Sequence, residues 1–142
     1  MPEIQRQAVV GYTSEQMFDL VNDVTAYPQF LPWCQSVEIL AQNDATMQAK
    51  ISLGFAGMRQ VLTTENTLSR PTSLTMQMLS GPLRSFHGVW RFVDKAEGCQ
   101  VSLDMHFRVR TGLQALLFGK ALDKAANQMV TAFVRRANHV YG

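Results

Sequence analysis

The chain has 142 residues, of which 46% are hydrophobic and 17% charged; 13 basic residues against 11 acidic ones leave a net charge of +2. That length suits one domain, residues 1–142, able to bury a core without metal or disulfides. The near-balance of charge excludes composition as grounds for nucleic-acid binding, so DNA is not an expected partner and only a local basic face stays open.

Cys34 and Cys99 lack metal-site spacing and form no disulfide framework, so two reduced thiols and no metal are expected. Met1-Pro2-Glu3-Ile4-Gln5-Arg6 contains no apolar signal core. No stretch approaches the ~18 apolar residues of a membrane helix. These features predict a cytoplasmic protein, with at most peripheral contact with the inner membrane.

Ile4 to Val10 reads as a first strand. Thr13 or Ser14 can cap a short helix running to about Val21, with Glu15 and Gln16 in its first turn. Pro28 and Pro32 forbid a regular helix through Tyr27–Cys34, which predicts a short helix ending in an aromatic-rich turn. The middle of the chain alternates with a period of two. Met47, Ala49, Ile51, Leu53 and Phe55 form one apolar face, Leu74, Met76 and Met78 another, and Val101, Leu103, Met105, Phe107 and Val109 a third. Turn residues at Gly54–Gly57, Arg70-Pro71, Ser80-Gly81-Pro82 and Glu97-Gly98 join these runs into a meander. A final helix is expected from Leu113 to His139, a rod of about 40 Å. Its apolar stripe includes Phe118, Leu122, Met129, Val130 and Phe133. Only the concave face of the sheet can cover that stripe, so the fold class is α+β: a curved antiparallel sheet wrapped around a long C-terminal helix.

Parity decides what faces the helix. Phe86, Trp90 and Phe92 share one face; Ser85, His87 and Arg91 share the other, together with Asp104 and His106 of the next strand. The residues able to act as acid or base therefore lie outside the pocket, and no catalytic residue is assigned. No nucleophile elbow, His-Glu-x-x-His or phosphate loop is present. Gly54-Phe55-Ala56-Gly57 reads as a hairpin tip. The inner face instead offers Phe55, Met76, Met78, Phe86, Trp90, Phe92, Met105, Phe107, Leu122, Met129 and Phe133, with Trp33 from the aromatic turn. Adaptable methionines and rigid rings suit an apolar ligand. Leu113, Leu116 and Leu117 fall opposite the main stripe of the last helix, placed to gate a pocket, to touch a membrane or to pack against Pro28–Trp33. Arg91, Arg108 and Arg110 on the outer sheet face are the candidate partner surface.

Tyr27-Pro28-Gln29-Phe30-Leu31-Pro32-Trp33-Cys34, preceded by Leu20-Val21-Asn22-Asp23-Val24, resembles the signature of the coenzyme Q-binding START-like family. Gly81-Pro82-Leu83 leading to Trp90-Arg91-Phe92, and the closing Met129-Val130-Thr131-Ala132-Phe133, are similar to it too. The likeness covers essentially the whole chain and points to the bacterial branch. It implies a helix-grip fold with a lipid pocket. From the eukaryotic members it implies ubiquinone binding in support of respiration; from the bacterial branch, a toxin that binds the large ribosomal subunit and blocks subunit association. Trp90 matches the family's pocket tryptophan, and Pro32-Trp33-Cys34 its loop motif. The family's older polyketide cyclase or dehydrase naming rests on fold and carries no catalytic residue over. The expectation is a carrier of ubiquinone or another apolar molecule, with no required cofactor. The alternative is a ribosome-binding toxin, and a cyclase-like enzyme is third.

Overall fold

The computed structural model describes residues 3–55 and 57–142; Met1, Pro2 and Ala56, part of the N-terminal segment and of the Gly54–Gly57 tip, lie outside the described residues. The period-two runs become strands β1 (Glu3–Val10), β2 (Cys34–Gln42), β3 (Thr46–Phe55), β4 (Met58–Ser69), β5 (Ser73–Ser80), β6 (Leu83–Lys95) and β7 (Gly98–Val109). All pairings are antiparallel, in the order β1-β7-β6-β5-β4-β3-β2. The meander runs from β2 to β7, and β1 returns to the far edge beside β7. Register irregularities fall in β2, β5 and β6, and an extra residue of this kind bends and twists a strand locally.

Register places the apolar faces together. Phe86 lies opposite Phe107, Trp90 opposite Leu103 and Phe92 opposite Val101. A slip of one residue would send all of them to solvent, which is why the buried face fixes the pairing. The turn before β7 depends on Gly98, whose φ is +150°.

Helix α1 (Ser14–Asn22) starts on a capping box. The Gln16 N–H donates to Thr13 Oγ1 at 3.1 Å, and the Thr13 N–H donates to Gln16 Oε1 at 2.9 Å. The helix buries Met17, Phe18 and Val21, and Phe18 meets Phe92 edge-on at 5.9 Å. A short 3-10 helix, Val24–Gln29, contains Pro28 and leads into the aromatic turn.

The C-terminal helix is not the single rod expected from Leu113 to His139. It is divided into α2 (Leu113–Asn127) and α3 (Met129–Tyr141), with Gln128 between them. The reason is local. The Asn127 side chain donates to the Asp123 carbonyl at 2.9 Å, competing with the backbone ladder. The Gln128 N–H then turns back three residues to the Ala125 carbonyl at 3.1 Å. Periodicity of apolar residues survives such a break and cannot report it.

Both helices lie against β1 and β7, and α2 also reaches β3. Gly119 permits the close approach of α2 to β7, since a Cβ there would sit 2.4 Å from Val109 Cγ1. Leu113, Leu116 and Leu117 stand in solvent at 71%, 49% and 45% exposure.

Candidate ligand-binding site

The concave face of the sheet and the inner faces of α2 and α3 enclose the aromatic and methionine side chains. Trp90, Phe92, Met105, Phe107 and Phe133 are each at most 3% exposed. Phe133 of α3 is the hub. It meets Trp90 at 5.1 Å, Tyr27 at 5.3 Å and Phe30 at 5.1 Å, all edge-to-face. Trp90 in turn stacks parallel to Phe92 at 6.5 Å. These are favourable ring geometries, so this end of the interior is packed by its own side chains. Phe86, Leu122 and Met129 are also buried.

Trp33 and Phe55 sit apart from that cluster. They stack on each other at 5.9 Å, and Phe55 meets Phe118 of α2 edge-on at 5.5 Å. Beside them opens a cleft of about 300 Å³, bordered by Pro32, Gly54, Ala121, Lys124, Ala125 and Gln128. The helix break at Gln128 is therefore part of its rim. A cleft of that size is at the lower bound for a small-molecule site.

Met76 and Met78 on β5 are half-buried. Met76 Cε occupies the space that a side chain on Gly88 would need, 2.7 Å from the position of a Cβ there. Met78 packs beside Gly81 in the same manner. The flexible thioethers thus fill room that the sheet itself leaves open.

The sequence did not reveal that β4 carries polar side chains inward. Thr64 and Asn66 are 2% and 3% exposed, on the same face as Leu62. Among the described residues, the other buried polar side chain is Ser14, which donates to Asp94 Oδ1 at 2.6 Å. Asn66 Oδ1 is buried without a hydrogen-bond partner. The run Thr63-Thr64-Glu65-Asn66-Thr67 has no apolar alternation, so only the register decides which members face the core.

The outer sheet face holds the titratable residues. His87 lies opposite His106 across the β6–β7 ladder, and Arg91 pairs with Asp104 at 3.0 Å. Arg110 Nη2 donates to the Gly81 carbonyl at 3.0 Å, which ties it to the β5–β6 turn. Arg108 is exposed on the same face. A different set of cations lines a groove of about 670 Å³ between the aromatic turn and α3, where Arg135, Arg136 and His139 accompany Gln29, Phe30, Gln128 and Thr131. The Arg136 guanidinium lies 5.1 Å from the Phe30 ring centroid and donates to Gln29 Oε1 at 2.9 Å.

Burial governs the shifted groups. The Tyr27 hydroxyl is pushed well above the usual phenol range by desolvation and donates to the Val21 carbonyl. Desolvation pushes the Cys34 thiol up to about 11, and the Cys99 thiol is raised for the same reason, partly offset by a hydrogen bond with Ser14. Neither thiol is set up as a nucleophile. Among the described residues no cluster of acids, histidines or cysteines could hold a metal, and no helix is long and apolar enough to cross a membrane.

A curved antiparallel meander closed by C-terminal helices over an apolar concave face is the helix-grip arrangement, and residues 10–134 match the family described as polyketide cyclase/dehydrase and lipid transport. The chain belongs to this family. The proteins that the chain is similar to are of different kinds. A Vibrio cholerae protein named ribosome association toxin RatA is 39% identical over 143 residues, covering 100% of this chain and 99% of that one. The mitochondrial coenzyme Q-binding protein COQ10 homolog B of Xenopus laevis is 28% identical over 145 residues, covering 99% of this chain and 59% of that one. The Zhui aromatase/cyclase of a Streptomyces species shares the fold, with a TM-score of 0.83 at 16% identity over 96% of this chain and 93% of that one. The two sequence relatives are named as a toxin and a binding protein, not as enzymes.

Proposed function

We propose that this chain holds an apolar molecule of the lipid class, ubiquinone in the first instance, between the concave sheet face and α2–α3, and supports respiratory electron transport as a carrier. The observation that carries this reading is the inner face itself. Methionines of β5 that fill the space left by Gly88 of β6 and Gly81 of the β5–β6 turn lie on the same inner face as a rigid aromatic cluster, with the Trp33–Phe55 cleft as the entrance. The proposed contacts are Trp33, Phe55, Met76, Met78, Phe86, Trp90, Phe92, Met105, Phe107, Leu122, Met129 and Phe133. Carrying is favoured over turnover because the buried polar side chains among the described residues are neutral, while His87, Asp104 and His106 lie on the opposite face. No cofactor is needed for that role. The exposed Leu113, Leu116 and Leu117 give the carrier an apolar edge for peripheral membrane contact. Mass spectrometry of an organic extract of the purified protein should find a quinone. Protein that is consistently empty, and takes up no added ubiquinone, would sink the proposal.

A second reading, association with the large ribosomal subunit, is favoured by the 39% identity with the Vibrio cholerae RatA. Residues 113–142 carry Lys120, Lys124, Arg135 and Arg136 against one acid, Asp123. The α3 groove, bordered by Arg135 and Arg136, is the surface able to meet phosphates. Sucrose-gradient profiles should then show salt-sensitive cosedimentation with large subunits, weakened by Arg135→Glu with Arg136→Glu. Profiles unchanged on overexpression would remove this reading.

A further inference from the structure

Asn66 and Thr64 are out of place as core residues. They sit mid-strand on the buried face of β4, at 3% and 2% exposure. Their cross-strand partners are apolar: Asn66 lies opposite Met47 and Met76, and Thr64 opposite Ala49 and Met78. Asn66 Oδ1 has no hydrogen-bond partner there. A buried acceptor left unmade costs the fold its desolvation, and an apolar residue of similar shape would relieve that cost. Such groups are kept where something else completes them.

We infer that Asn66 and Thr64 form the hydrogen-bonding anchor for the head group of the bound ligand, and that the ligand is a neutral oxygenated lipid bearing a carbonyl or hydroxyl group. This rests on the apolar-ligand reading given above. A carboxamide offers an acceptor at one end and donors at the other, and a threonine hydroxyl does both. Asn66 Oδ1 is completed by a donor, such as the hydroxyl of a quinol, while a carbonyl head group accepts from the amide Nδ2 or the Thr64 hydroxyl, which suits a molecule that cycles between quinone and quinol forms. The residues opposite the pair are three methionines and an alanine, with no cation among them. A carboxylate or phosphate head group would enter without a counter-charge, so anionic lipids are disfavoured. Met76 and Met78 are unbranched and half-buried, and they are the side chains that move aside to admit the head group.

The test compares three probes carrying the same saturated tail: a benzoquinone, a fatty acid anion and a plain hydrocarbon. Binding is measured by displacement of a fluorescent lipid from wild type, Asn66→Leu and Thr64→Val. Wild type should prefer the quinone over both other probes. Asn66→Leu should lose about tenfold in quinone affinity, equivalent to about 1.4 kcal/mol, with hydrocarbon affinity unchanged. Thr64→Val, which keeps the side-chain shape, should lose quinone affinity in the same selective way and serves if Asn66→Leu fails to fold. Equal binding of quinone and hydrocarbon by wild type, or variants that keep the wild-type preference, overturns the anchor and leaves the apolar pocket standing. Wild type that takes up none of the probes overturns both.

Discussion

Truncating Trp90 to alanine tests whether the deep end of the interior is packed core or open pocket. Trp90 is 1% exposed and touches Phe133 edge-on and Phe92 in parallel stacking. A tryptophan buries roughly 150–250 Å², which at about 25 cal/mol per Å² is roughly 4–6 kcal/mol of transfer free energy. A partly collapsed unfolded chain lowers that figure, and large-to-small tryptophan changes cost about 3–5 kcal/mol in practice. The expected loss is therefore about 4 kcal/mol, a large share of the roughly 5–15 kcal/mol that holds a domain together. Urea unfolding followed by far-UV circular dichroism, compared between wild type and Trp90→Ala, measures it; the midpoint should fall sharply with little change in slope. A loss below about 2 kcal/mol would show that one side of the ring faces empty or solvent-filled space. That result would refute the packing argument for this cluster. The same variant should also load less quinone, because removing the ring unseats Phe133.

Further outcomes follow from three single residues. Tyr27→Phe keeps the ring against Phe133 but leaves the Val21 carbonyl, in the last turn of α1, without its hydroxyl donor; denaturant titration should show a loss of about 1–3 kcal/mol. Cys34 titrates at about 11 in the folded protein against an ordinary 9.0. The folded state thus keeps a proton that the unfolded chain has already released. Stability should be intact below about 9, fall as pH rises from there to about 11, and fall less steeply in Cys34→Ala, read by urea midpoints across that range. Alkylation of Cys34 at mildly alkaline pH should track unfolding, since the thiol is 3% exposed. Gly98→Ala would place a Cβ 2.0 Å from the Val10 carbonyl oxygen at a φ of +150°. It should cost about 2 kcal/mol or more and speed amide exchange near Val10, the partner of Cys99 in the β1–β7 ladder.

Which residues share the inner face was largely legible because alternation is a geometric code. Met105 and Phe107 alternate with Asp104 and His106, and once β6 and β7 pair in register the rings must share a face while the histidines share the other. Polar strands escape that code. In β4 the threonines, Glu65 and Asn66 carry no contrast between faces, and only pairing with β3 and β5 sends Thr64 and Asn66 inward. The division of the last helix escaped for a similar reason. Asn127 and Gln128 fall on the polar arc of the helix, where nothing in the apolar stripe marks a break, yet the Asn127 side chain takes the Asp123 carbonyl.

The cationic surface shows the limit most clearly. Arg91, Arg110, Arg135 and Arg136 look alike in sequence as basic residues, although Arg136 falls beside Met129 and Phe133 on the apolar side of its helix. In three dimensions Arg91 is paired with Asp104 and Arg110 with turn carbonyls, whereas Arg135 and Arg136 border a groove against Phe30. What the sequence alone determined was local: strand parity, the capped first helix, the proline-bounded aromatic turn and the apolar stripe. Each follows from the stereochemistry of a few neighbouring residues. The tertiary structure decided which polar groups are buried, which charges are neutralised and where the interior opens. Those depend on contacts between residues far apart in the chain, whose energies no local pattern encodes.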